Sequence, residues 1–236
     1  MIGASARSPL APKAYAYLSV VVLAATGAAI PALLSFGDST GHWGTFAGLA
    51  AGAALAQLLL VETGRNHGFA VALVFVVAAA LLLPPELVAL MGLAQHAPDL
   101  LRRRYPGYIQ TFNIANYTLN ALAAWGTARL LSNHVLAHDR LGWALAGLGA
   151  AVVFVALNHL LLATMLRLAR GHSFRASRLF TPDSVTIDLA LAALGVAIAA
   201  FVQSNPTLVL TVVAPLFLLN RFFRLLAADS HGAQAV

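Results

Sequence analysis

Residues 69–101 read FAVALVFVVAAALLLPPELVALMGLAQHAPDLL, and how this stretch is divided decides the fold. Read as one helix it would run about 50 Å at 1.5 Å per residue, far beyond a hydrocarbon core of about 30 Å. Pro84 and Pro85 interrupt it midway. Two successive prolines remove two backbone donors and clash with the preceding turn, so the stretch predicts two short spans joined by a tight turn. The same logic applied outward gives spans at 15–36, 44–61, 69–83, 86–101, 109–131, 142–167, 185–203 and 206–220. The expected fold is all-α: a polytopic integral membrane bundle of about eight transmembrane helices, both termini cytoplasmic.

Composition leaves little room for a soluble alternative. Of 236 residues, 60% are hydrophobic and 9% are charged. A water-facing domain carries roughly 25% charged residues, and the apolar runs are too many for one soluble core. Nor is there the alternation of an outer-membrane barrel. The first run is longer than the roughly 7–15 residues of a signal-peptide core, so it is kept as a span.

Charge placement tests the division. With eight spans and an inner N-terminus, twelve Lys and Arg residues fall inside and two, Arg129 and Arg140, outside. Fusing the third and fourth spans gives five inside against nine outside, the reverse of the positive-inside rule. The expected division is therefore a cytoplasmic segment 1–14, a bundle 15–220 and a cytoplasmic segment 221–236 that begins a signalling helix. The net charge of +6 reads as membrane-surface anchoring, not nucleic-acid binding. Arg102, Arg103, Arg104, Arg167, Arg170, Arg175 and Arg178 form that basic surface. Asp99 and Asp188 fall near the same interface, where these arginines are their expected partners.

Polar residues inside the spans are few. Asn113, Asn116 and Asn120 lie within about 60° of one another at 100° per residue, on one helix face. Amides facing lipid are costly, so that face is expected to look into the bundle. Gln57, His96, Asn116, Asn158 and His159 come out at similar depth, with Tyr117 beside them. They form an expected polar layer that either fixes helix register or binds a small or lipidic ligand. Gly44, Gly48, Gly52 and Ala56 recur every fourth position, a small-residue stripe for packing within the bundle or at a homodimer seam.

Catalytic chemistry is not expected. There is no phosphate-binding loop, His-Glu-x-x-His or Gly-x-Ser-x-Gly pattern, and no cysteine. His96 and His159 are the only deep pair for haem, with nothing further to support one. His134 and His138 read as solvated loop residues. No cofactor and no metal are expected, and the chain reads as a non-enzyme.

The run Phe112-Asn-Ile-Ala-Asn-Tyr-Thr-Leu-Asn-Ala-Leu-Ala-Ala, following the triple arginine, resembles the membrane sensor (MASE-like) regions of bacterial cyclic-di-GMP signalling proteins. So do Leu157-Asn158 leading into Arg170-Gly-His-Ser-Phe-Arg175, and Asn205-Pro206 leading into Ala214-Pro-Leu-Phe-Leu-Leu-Asn-Arg221. The resemblance covers residues 45–228. It implies a multi-pass sensory domain of the bacterial inner membrane that binds a ligand among its helices. It also implies a GGDEF or HD-GYP output domain, which these 236 residues do not contain. Either the chain is the sensor part of a longer protein or it stands alone. A small solute transporter, or a substrate-binding transport subunit, is the rival expectation.

Overall fold

The computed structural model describes residues 10–35, 40–58, 62–63, 67–68, 71–102, 105–136 and 138–205, with 211, 214 and 218 singly. The described chain is helical except for a two-residue antiparallel pairing of Glu62-Thr63 with His67-Gly68. Its helices are α1 (Pro12–Leu34), α2 (Trp43–Leu58), α3 (Ala72–Leu82), α4 (Pro85–Arg102), α5 (Gly107–His134), α6 (Arg140–Arg170), α7 (Phe174–Ser177) and α8 (Pro182–Ser204).

The chain does break between Leu82 and Pro85. Proline at the first position of α4 costs no hydrogen bond there, while the extended backbone at Leu83 ends α3. Other ends follow equally local rules. The Asp139 carboxylate accepts from the Gly142 amide at 2.6 Å to start α6, and Gly171, at φ 71°, closes it in a conformation that glycine adopts without strain. Thr181 caps α8.

Three of these helices, α1, α6 and α8, are long and apolar enough to cross a membrane by length and composition. That is fewer than eight, for physical reasons. With 11 residues, α3 is only about 16 Å long, and α2 has 16 residues. The longer α5 has its apolar run interrupted by Gln110, Asn113, Asn116 and Asn120. The expected span 206–220 lies outside the described residues except at 211, 214 and 218.

The shortest of the apolar helices is at the centre. Ten of the 11 residues of α3 are buried, and it packs on α2, α4, α5, α6 and α8. A helix that is apolar on every side is stable only where every side is covered. Gly195 of α8 permits that cover: a Cβ there would lie 2.6 Å from the Val74 carbonyl oxygen. Around this core run antiparallel neighbours. Ala89 and Gly92 of α4 meet Thr118 of α5, and a Cβ on Gly92 would lie 2.9 Å from the Ile114 oxygen. Asn116 of α5 meets Asn158 of α6, and Gly149 meets Leu131. His159 of α6 meets Asp188 of α8, and Gly147 meets Val196. The outer face of α6 exposes Leu141, Leu145, Leu148, Val152 and Leu160, an apolar stripe turned away from the bundle.

The small-residue stripe on α2 divides. Gly52 lies under the Phe75 ring and Ala56 is buried, so this half packs inside the bundle. Gly44 and Gly48 are exposed and have nothing within 4 Å of where a Cβ would lie. The cover over Gly52 comes from Phe75 of α3.

Candidate functional site: a polar cluster at the heart of the bundle

One polar centre joins α4, α5, α6 and α8. On α5, the Asn120 amide donates to Asn116 Oδ1 at 3.1 Å, and the Asn116 amide donates to Asn158 Oδ1 of α6 at 2.7 Å. One helical turn separates Asn116 from Asn120, which is why a single face presents both. The next residue of α6, His159, is almost fully buried, and its Nε2 lies 2.7 Å from Asp188 Oδ2 of α8.

Aromatic rings fill the space around these bonds. The His96 ring of α4 meets Tyr117 edge-on, with centroids 5.1 Å apart, and Tyr117 meets Phe154 the same way at 5.7 Å. His96 Nδ1 pairs with the Gly92 carbonyl oxygen at 2.9 Å, holding the ring against its own helix. Tyr117 also lies close to Gln95 and Asp188. Beside His96, the Gln57 amide of α2 donates to Asp99 Oδ2 at 2.6 Å, with Asp99 2% exposed.

Of the predicted layer, Asn116, Asn120 and Asn158 share hydrogen bonds, His96 meets Tyr117, His159 meets Asp188 and Gln57 meets Asp99. Asn113 is partly buried, and its side chain makes no hydrogen bond among the described residues. One carboxylate departs from expectation: Asp188 pairs with His159 rather than Arg178. Asp99 bonds Gln57, and its expected partners Arg102 to Arg104 have side chains outside the described residues. α8 starts at Pro182 instead of 185, so Asp188 rides about 9 Å up the helix, level with His159.

Three buried polar residues carry no mark in the sequence reading: Glu86, Gln95 and Gln110, each less than 5% exposed. Among the described residues, Glu86 Oε1 and both amide atoms of Gln95 and Gln110 have no well-formed hydrogen bond, and neither have Asn120 Oδ1 and Trp125 Nε1. Each such orphan costs about 1–3 kcal/mol unless water or an ion meets it. The available signal was a lone Gln or Glu inside an apolar run, which in lipid needs an inward partner.

Of the predicted basic surface, Arg167, Arg170, Arg175 and Arg178 are exposed, while the side chains of Arg102, Arg103 and Arg104 lie outside the described residues. Arg167 lies over the Phe174 ring at 5.4 Å. Phe174 contacts Phe180, whose ring meets His159 edge-on at 5.8 Å. The basic segment therefore touches the polar centre through two aromatic rings.

A separate groove of about 450 Å³ opens between α1, α5 and the start of α4. Ala28, Pro31, Ala32, Pro85, Leu122 and Trp125 are among its walls. Among the described residues, no group of three or more His, Asp or Glu side chains could hold a metal.

No protein-family model, no curated protein and no solved structure matches this chain.

Proposed function

We propose that this chain is a membrane-embedded sensory or regulatory domain that binds a small or lipidic ligand in its helical bundle. Its state is relayed to a cytoplasmic output domain of the GGDEF or HD-GYP kind, as the resemblance to MASE-like regions implies. The observation that supports this reading is the hydrogen-bonded cluster Asn120–Asn116–Asn158 with His159–Asp188, set among apolar helices. Ionisable groups inside membrane helices are expensive and mark functional sites. On this reading eight helices cross the bacterial inner membrane with both ends in the cytoplasm, and the exposed apolar stripe of α6 faces lipid. The open Gly44 and Gly48 suit a homodimer seam. The ionisable pair His159–Asp188 also favours a second reading, a small solute transporter with its site at the bundle midplane.

Two experiments bear on this. Mass spectrometry of small molecules released from the purified protein is expected to find one held by the wild type and lost in Asn116→Leu and Asn158→Leu. Equal retention by both variants overturns the site. The chain has no cysteine, so single cysteines report sidedness without background. His138→Cys is expected to react with an impermeant maleimide from outside the cell and His172→Cys only after lysis; the same sidedness for both overturns the topology.

A further inference from the structure

The orphaned polar atoms at the polar centre are of both kinds. Gln95 Nε2 is a donor; Gln95 Oε1 and Asn120 Oδ1 are acceptors. Gln95 lies beside Tyr117. A metal cation would satisfy only the acceptors, whereas a water molecule donates and accepts. Buried polar groups left in this state are where internal water is held. A large ligand has little room here, because Phe154 is fully buried and its ring, Tyr117 and His96 stack in an unbroken series.

The charged groups around Asp188 narrow the ligand further. α6 offers His159, in direct contact. α5 offers Tyr117, and α4 offers His96 with Asp99 near it. α2 reaches Asp99 through the neutral Gln57, and α3 carries no titratable side chain. Arg167 lies over the Phe174 ring, and Phe174 contacts Phe180, which meets His159. Among the described residues, Asp188 has His159 as its only ion-pair partner, so the pair changes its net charge when it takes up one proton.

We propose that the His159–Asp188 pair is a proton-binding site whose occupancy sets how α8 packs on α6. The proton arrives from water and leaves to it. Without it, a neutral imidazole donates to a carboxylate and the pair carries one negative charge. With it, imidazolium faces carboxylate, the net charge is zero and the attraction across the α6–α8 contact is stronger. Losing the proton leaves a net charge on the partly exposed Asp188, beside the almost fully buried His159, which draws water in and loosens α8. The inference rests on reading this centre as the sensing part of the bundle, and it names the proton as what is sensed.

The test is hydrogen–deuterium exchange of the full-length protein in lipid nanodiscs, followed from about pH 5 to 8, the range in which histidine changes charge, and corrected for the chemistry of exchange. Amides of residues 185–192 are expected to exchange at least about threefold faster at the upper end, a local opening of α8. Asp188→Asn and His159→Gln, each of which keeps a hydrogen-bonding side chain, are expected to flatten the profile. A flat wild-type profile overturns the proposal by itself, as does a wild-type slope that survives in both variants. A flat profile in a protein that retains its small molecule sinks the proton and leaves the ligand reading standing. A pH-dependent profile in a protein that retains nothing does the converse.

Discussion

α3 and α5 both run through the middle of the bundle, and they answer burial in opposite ways. α3 presents only Ala, Leu, Val and Phe, so each of its faces is satisfied by contact alone. α5 brings Gln110, Asn116, Thr118 and Asn120 into the same interior, where each polar atom needs a partner of the right kind. The apolar helix asks its neighbours for shape, and the polar one asks for chemistry. Shape can be met in many ways; a file of amides admits few arrangements, which makes α5 the helix where two states of the bundle would differ.

Mutations that swap these two demands should separate the helices. The largest effect is expected where an α6 ring packs against α5. Phe154 is fully enclosed against Tyr117, so Phe154→Ala should cost about 3 kcal/mol of stability, read as a lower unfolding midpoint in micelles. A cost under about 1 kcal/mol would mean that the rings are loosely held. Within α3, Val76→Ala removes two buried carbon groups and should cost about 1.6 kcal/mol, with no change in the pH profile of α8. A pH-dependent cost would break the distinction between the dry helix and the polar one.

The smallest effect belongs to the amides. The coupling between Asn116 and Asn158, measured by a double-mutant cycle with Ala at each, should be near the 0.6 kcal/mol average of hydrogen bonds in membranes. A coupling of several times that would mark a network tied together more tightly than its single bond suggests.

These expectations also show which parts of the molecule could be read from one dimension. The Pro84-Pro85 break, and helix limits within a few residues, follow from periodicity and proline chemistry that act locally. Expected 109–131 and 142–167 compare with Gly107–His134 and Arg140–Arg170. The asparagine face of α5 was legible in part: Asn116 and Asn120 are buried, as amides on an apolar helix are expected to be, while Asn113 is only partly buried. The His159–Asp188 bond was not. It joins residues 29 apart on different helices, and a three-residue error at the start of α8 is enough to place Asp188 at the interface. Gln95 and Glu86 escaped for a related reason: one polar residue in an apolar run does not say which neighbour it faces.

The enclosure of α3 bears on the order in which the molecule is made. α8, which covers one of its flanks, begins a hundred residues after α3 ends. During synthesis α3 must wait for that partner. On the membrane reading, a helix with no polar face loses nothing by waiting in lipid, because hydrocarbon tails are as good a neighbour as the leucines and valines that replace them. Early-made α5 has no such refuge: its amides stay underpaired until Asn158 of the following helix arrives. The uniform apolarity of α3 thus lets the central helix be made early and walled in late.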